Sequence, residues 1–235
     1  MRPLTRAIHE FTHAILNPYD LEDLLDRLIG HVTSVLDAEG AGIMLESREA
    51  DLEFAAASSE AVKEIERYQD EVRSGACHEA FMTSRTVVVD DLRGDQRWPG
   101  YRDRALDAGF GSVIGVPMNA NAETIGVLNV YRTATRPWSE EDVEACEILA
   151  AMGAGYILHV HQLRASQQLA EQLQRALDSR AVIERANGVL MERERVDAER
   201  AASLLREQAR SDGRRLRDVA VEVVEERDAG GDSRQ

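Results

Sequence analysis

Five arginines fall within twelve positions near the C-terminus, at Arg206, Arg210, Arg214, Arg215 and Arg217. Guanidinium forks match phosphate bidentately and lie flat on unpaired bases, so a cluster of this kind is chemistry suited to nucleic acid. Glu207, Asp212 and Asp218 stand among them, and a mixed run like this, taken alone, is simply a solvated face. A second pair with chemical potential is Cys77 beside His78. A metal would need three or four donors, and the other histidines (His9, His13, His31, His159 and His161) fall in helical patterns elsewhere, so no metal site is expected. The only other cysteine, Cys146, lies in a helical run, and no CxxC occurs. Neither a disulfide nor a thiolate zinc site is expected, and Cys146 reads as a small apolar core residue.

The charge is distributed unevenly. The whole chain of 235 residues carries −15, which repels nucleic acid. Residues 1–163 hold 14 Lys+Arg against 28 Asp+Glu, whereas residues 164–227 hold 13 of each. Such an asymmetry points to two domains with different partners, of which only the second tolerates a phosphate backbone. With 43% apolar residues the chain can bury a core, and bulk disorder is excluded. No run approaches the roughly 20 consecutive apolar residues of a membrane span, so no membrane partner is expected and the expected location is cytoplasmic.

The elements that would position these groups follow from periodicity. Leu21, Leu24, Leu25, Leu28, Ile29, Val32 and Leu36 recur at helical spacing within 18–37. Short apolar runs at 40–45 and 52–57 predict a hairpin across Arg48–Asp51. Helical segments follow at 60–72 and 76–83, then a strand at 86–89. Residues 95–111 read as a long polar loop with one helical turn. Strands at 112–118 and 124–131 are joined by a turn over 119–123, with Pro117 at an end or bulge. Ser139-Glu-Glu-Asp142 is a capping-box start for a long helix. The order predicts an α+β fold, an α/β sandwich around an antiparallel sheet.

Several pieces of this region resemble the GAF domain. They are Gly75-Ala-Cys-His78, Thr86-Val-Val-Val-Asp90-Asp-Leu92, Asp95-Gln-Arg-Trp98-Pro, Gly111-Ser-Val-Ile-Gly-Val-Pro117, Ile125-Gly-Val-Leu-Asn-Val-Tyr131 and Trp138-Ser-Glu-Glu-Asp142. The resemblance implies a sensor domain over residues 1–160. It also implies a pocket between the sheet and segments 60–110, lined by Cys77, His78, Trp98, Tyr101 and Phe110, for a small-molecule ligand of unknown identity. The alternative is that these residues close a core and hold nothing. Some GAF-fold proteins reduce methionine sulfoxide with thiols. That chemistry needs a resolving partner that Cys77 lacks, so no catalytic residue is expected.

From Ser139 to Arg195 no proline interrupts the helical pattern. Tyr156, Val160 and Leu163, then Leu169, Leu173 and Leu177, step along it, which predicts a helical coiled-coil stalk over 156–177 and a homodimer. Three helical patterns follow: one ending near Glu194 with Ile183, Ala186, Leu190 and Met191 on one face, one from the N-cap Asp197 to about Ser211, and one from Arg214 through Val224. Gly188, inside the first, predicts close approach of a neighbouring helix, since a mid-helix glycine otherwise costs about 1 kcal/mol.

Ser179-Arg180-Ala-Val-Ile183-Glu-Arg-Ala186-Asn-Gly188-Val-Leu190-Met191, Ala201-Ala-Ser-Leu204-Leu205-Arg206 and Arg215-Leu216-Arg-Asp-Val219-Ala220 strongly resemble the ANTAR domain, an RNA-binding module of transcription antitermination regulators. The resemblance implies a three-helix unit over 167–227, followed by a disordered tail at 228–235. Its partner would be RNA, as hairpin loops in a nascent transcript. With the arginine pattern it nominates Arg180, Asn187, Arg206, Arg210, Arg214 and Arg215 for RNA contact. Asn187 replaces the lysine that the family often has before the central glycine, and Gly213 replaces an asparagine. The competing reading is a GAF sensor whose C-terminal helices bind protein only.

Overall fold

The computed structural model describes residues 3–16, 20–47 and 51–231, and divides into two compact units, 1–162 and 163–235. The hairpin turn expected over 48–51 and the first residues of the helix expected from 18 fall largely outside the described residues.

In the N-terminal unit, α1 (Pro3–Leu16) and α2 (Leu21–Leu36) precede β1 (Gly40–Glu46) and β2 (Leu52–Ala57). Asp20 caps α2 by accepting the Leu21 N–H at 2.8 Å. Then come α3 (Glu60–Val72), α4 (Ala76–Thr83), β3 (Val87–Val89), a 3-10 turn at Leu92–Gly94 and α5 (Pro99–Asp107). β4 (Ser112–Ala120), β5 (Glu123–Arg132) and α6 (Glu140–Glu194) follow. The sheet is antiparallel throughout, in the order β2-β1-β5-β4-β3.

Both faces of the sheet are covered, so its central strands read as nearly continuous apolar runs rather than alternating ones. Ile114, Val116, Leu128 and Val130 face one cluster with Leu28 and Val32 of α2 and Cys146, Leu149 and Ala154 of α6. Val113, Val127 and Tyr131 face the other, with Val62 and Ile65 of α3, Cys77 and Ala80 of α4 and Tyr101 of α5. The alternation along β5 is the period of two of a pleated strand. One eighteen-residue window of α6 has a mean hydropathy of 1.4, and 44% of that window is buried inside the protein.

Three local expectations are corrected. The segment read as a loop over 95–111 contains the nine-residue α5, which Pro99 starts at its first helical position, where a proline forfeits no hydrogen bond. The β4–β5 connection is shorter than the expected 119–123: Asn119 and Ala120 already pair with Thr124 and Glu123. Asn121 and Ala122 turn the chain with φ of 52° and 66°, the left-handed pair that a two-residue hairpin favours. Pro117 pairs with Val127, and β3 reaches only Val113–Gly115 of β4, so the missing N–H falls beyond the stretch paired with β3.

The start of α6 is held by a buried arginine. Arg132 donates to Leu36 O at 2.6 Å and to Asp142 Oδ2 at 3.1 Å, and lies 3.8 Å over the Trp138 ring. Asp142 accepts the Ser139 N–H at 3.0 Å while Ser139 Oγ accepts the Asp142 N–H at 3.1 Å, the capping box read from the sequence.

In the C-terminal unit, the end of α6, α7 (Ala198–Ser211) and α8 (Leu216–Gly231) close on a core of Ala186, Val189, Leu190, Ala201, Leu205, Ala209, Val219, Ala220, Val223 and Val224. Met191, expected on this apolar face, is exposed. Asp197 caps α7 by accepting the Arg200 N–H at 2.8 Å. α8 begins at Leu216, not Arg214. Arg215 supplies the carbonyl that accepts from Asp218 and Val219, because Gly213, at φ +63°, has turned the chain just before. Gly188 is exposed, and a Cβ there would meet nothing within 4 Å, so the expected helix contact at this position is absent. α8 continues to Gly231, four residues into the expected tail: with no proline at 228–231, the helical hydrogen bonding carries on. Residues 232–235 lie outside the described ones.

Candidate functional site

On the α3–α5 face of the sheet a carboxylic acid is sealed inside the protein. Val62, Ile65, Glu66 and Gln69 share one stripe of α3, and all four are buried. Glu66 Oε1 accepts from Tyr131 Oη at 2.9 Å, and Oε2 from Asn129 Nδ2 at 2.8 Å and Gln69 Nε2 at 3.1 Å. Burial pushes the Glu66 carboxyl up to about 8, against the lowering effect of these three bonds. Gln69 Oε1 in turn accepts the Cys77 N–H at 3.0 Å. Asn129 Oδ1 and Tyr101 Oη are buried with no hydrogen-bond partner among the described residues.

The residues nominated as pocket lining fall around this cluster but do not enclose an open cavity. Cys77, Tyr101 and Phe110 are core residues, and the Phe110 and Tyr131 rings lie 5.1 Å apart. Trp98 packs edge-on to Tyr101 at 6.0 Å with the Arg97 guanidinium 4.2 Å over its outer face. Cys77 and His78 border a crevice of only about 10 Å³, room for one water. Burial raises both cysteine thiols well above their ordinary value, and the two belong to clusters on opposite faces of the sheet. Among the described residues no three His, Cys, Asp or Glu side chains converge as metal donors.

The C-terminal unit keeps its polar chemistry outside. Arg206 and Arg210 of α7 and Arg214 of the turn line a concavity of about 430 Å³ together with Ala209, Gly213 and Leu216. Arg206, Arg210 and Arg215 are exposed and have no ion-pair partner among the described residues, whereas Arg214 pairs with Glu222 at 2.5 Å. Of the six nominated RNA residues, three therefore meet at one concavity. Arg215 adjoins it in sequence without lining it. Arg180 lies on the outer face of α6, paired with Glu184 at 2.9 Å. Asn187 is half-buried with an unpartnered Oδ1, so its amide is not freely presented.

The profile of the GAF domain matches residues 20–157, and that of the ANTAR domain matches residues 171–224. The chain belongs to the GAF family and carries an ANTAR domain behind it. This architecture is that of an RNA-binding regulator of the antitermination kind, with a GAF domain for signal transduction. No curated protein matches the chain. Among solved structures, a domain of a sensor histidine kinase protein from Sinorhizobium meliloti superposes with a TM-score of 0.56 at 13% identity, covering 64% of this chain and 99% of that one. The GAF domain of an Acinetobacter phosphoenolpyruvate-protein phosphotransferase gives 0.52 at 19% identity, covering 68% and 93%. The free methionine-R-sulfoxide reductase of Neisseria meningitidis, solved with its substrate, gives 0.54 at 17% identity, covering 68% and 91%. These likenesses concern the GAF fold.

The GAF residues that reading the sequence missed are Glu66, Gln69, Asn129 and Tyr131. Their signal was present. Glu66 and Gln69 occupy the same helical stripe as Val62 and Ile65, and Asn129 and Tyr131 alternate with the apolar Leu128 and Val130. In the ANTAR unit the arginine cluster alone located the concavity.

Proposed function

We propose that the chain is a cytoplasmic, non-enzymatic regulator that grips hairpin loops of nascent transcripts through its ANTAR unit, as a homodimer, under control of its GAF unit. The observation that carries this reading is the concavity at the α7–α8 turn. Its three guanidiniums offer phosphate pairing and a stacking surface, and Ala209, Gly213 and Leu216 beside them offer apolar contact for an unpaired base. Residues 164–227, with a zero charge balance, add no net repulsion of their own toward RNA.

Dimerisation is supported by the stalk. Leu169, Leu173 and Leu177 are each more than half exposed, and a helix with such a stripe gains stability by pairing it. Two RNA-binding units on one dimer would hold two hairpins through effective concentration. Holding them would favour an antiterminator over a terminator. A thiol reductase reading finds no support, because Cys77 is sealed beside a carboxyl and Cys146 lies across the sheet from it.

The test uses hairpin RNAs recovered by crosslinking from the native cell. Arg210→Ala with Arg214→Ala should lower affinity about tenfold and flatten the salt slope by roughly one or two contacts, with helical content unchanged because alanine favours helix. If the double variant binds as tightly as the parent at every salt concentration, the binding face is elsewhere. A parent that binds no such RNA leaves the protein-only reading in its place.

A further inference from the structure

Among the described residues the sealed acid of the GAF unit has no counter-charge. Its three hydrogen-bond partners, from α3 and β5, are neutral. The titratable groups facing it from other elements are Cys77 of α4, Tyr101 of α5 and Tyr131 of β5, and burial together with Glu66 itself raises all three, so they stay uncharged. Gly42 of β1 leaves room for the acid itself, and Gly115 of β4 leaves room for its partner Asn129. A Cβ at Gly42 would collide with the Glu66 carboxyl, and one at Gly115 would press on Asn129 Oδ1 at 3.1 Å. What the shell offers is acceptor capacity: among the described residues Asn129 Oδ1 and Tyr101 Oη are buried with no hydrogen bond of good geometry, the Tyr131 hydroxyl being the group beside Tyr101. A carboxyl with two open oxygens beside it complements a cation rich in N–H groups.

The approach has the same sign. The crevice that reaches Gln69 and Cys77 passes Asp51 and Asp70. Besides burial, the carboxylates of Glu53, Asp51 and Glu71 hold Asp70 above the ordinary carboxylate range, against Arg73 alone, and Arg73 is already paired with Asp51. Gln69 belongs both to the lining of the crevice and to the hydrogen-bond shell of the acid. Its Nε2 lies 3.1 Å from Glu66 Oε2 and 3.4 Å from Tyr131 Oη, the longest contacts of the cluster.

We propose that this cluster is a receptor for a small ligand bearing a primary ammonium group, which enters past Asp51 and Asp70, displaces the Gln69 amide and pairs with Glu66 while donating to Asn129 Oδ1 and Tyr101 Oη. This rests on the reading of the GAF unit as the signal-receiving part, and names the chemical class it would receive. The exchange balances: the neutral acid loses a proton to solvent as the ammonium arrives, so the interior goes from neutral to a neutral ion pair. Asn129 and Tyr131 precede Arg132 on β5, the residue that holds Asp142 at the start of α6, which gives the ligand a mechanical outlet.

The experiment is calorimetric titration of the full chain with methylammonium chloride, in phosphate and in MOPS buffer, against tetramethylammonium chloride at matched ionic strength. Saturable methylammonium binding should release close to one proton per site, and should tighten about tenfold per pH unit between about pH 6 and 7, below the Glu66 value of about 8. Tetramethylammonium, with the charge but no N–H, should bind at least about tenfold more weakly. Glu66→Gln should abolish both binding and proton release. Should that variant misfold, Asp70→Asn at the crevice mouth should still weaken methylammonium binding by roughly two- to fivefold. No saturation in the millimolar range, equal binding of the two cations, or binding without proton release overturns the proposal. Hairpin RNA binding by the same sample keeps the readings apart: RNA binding without amine binding overturns only this one, and amine binding without RNA binding supports it while removing the RNA reading.

Discussion

The GAF and ANTAR units place their polar chemistry on opposite sides of their surfaces. The GAF unit buries one acid, Glu66, among neutral donors under a sheet, while the ANTAR unit displays arginines around a shallow concavity. Burial makes the first a proton-coupled site indifferent to salt, because counterions do not reach it. Exposure leaves the second open to screening by salt and indifferent to pH, because a guanidinium does not titrate in the accessible range; any RNA bound at the proposed surface would feel salt first. One molecule thus holds two polar centres that respond to different variables.

The largest effect that tests this contrast is the pH dependence of GAF stability. Glu66 is raised from an unfolded value of 4.5 to about 8 in the folded state. Below the unfolded value both states hold the proton, and the stabilising contribution is fully present. As pH rises toward the folded value the unfolded chain loses its proton first, so stability falls by up to about 1.4 kcal/mol per pH unit. Both tryptophans, Trp98 and Trp138, lie in this unit, so their fluorescence in urea titrations reports it alone. Glu66→Gln should remove most of the slope and be the more stable protein at alkaline pH. A variant with the parent's slope would show that Glu66 is not the buried acid that titrates.

The same contrast explains what could be read from residue types alone. Apolar spacing located the helices and strands, because both units bury apolar stripes in the ordinary way. The arginine cluster was legible because exposed charges in a small helical unit need no packing logic to be noticed. Glu66 was harder to read despite its place on the buried stripe, since a glutamate in a helix usually belongs to the wet face; Gly42 makes room for its carboxyl and the polar pair on β5 donates to it. Trp98-Pro99 concealed α5, because a tryptophan and a proline at a helix start look like a loop. Gly188 was misread for a related reason: a mid-helix glycine is explained by close packing only where something packs, and here nothing lies within 4 Å.

That misreading yields the intermediate prediction. With open space around it, Gly188→Ala should stabilise the ANTAR unit by roughly 0.5–1 kcal/mol through helix propensity. Circular dichroism during thermal melting of the full chain, following the helical transition that tryptophan fluorescence does not see, measures this. A loss of stability would mean that the outward face of α6 is covered by something. Unchanged stability with weakened RNA binding would mark Gly188 as a point of close approach by RNA.

The smallest effect concerns Arg214, which among the described residues is the ion-paired arginine of the concavity. Its guanidinium pairs with Glu222 at 2.5 Å, with both side chains a little under half exposed, so the pair itself contributes little to stability. On the proposed RNA-binding surface, however, the carboxylate would compete with phosphate for the same fork and add a negative charge beside it. Glu222→Gln should leave melting within about 0.5 kcal/mol of the parent and raise affinity for hairpin RNA by roughly two- to fivefold at low salt. The gain should shrink as salt rises, because freeing one guanidinium steepens the salt slope by up to about one contact. A gain that persists at high salt would point to direct contact between position 222 and a base rather than to release of Arg214. No gain at any salt concentration would place the phosphate path away from Arg214 and leave Arg206 and Arg210 to carry the contact.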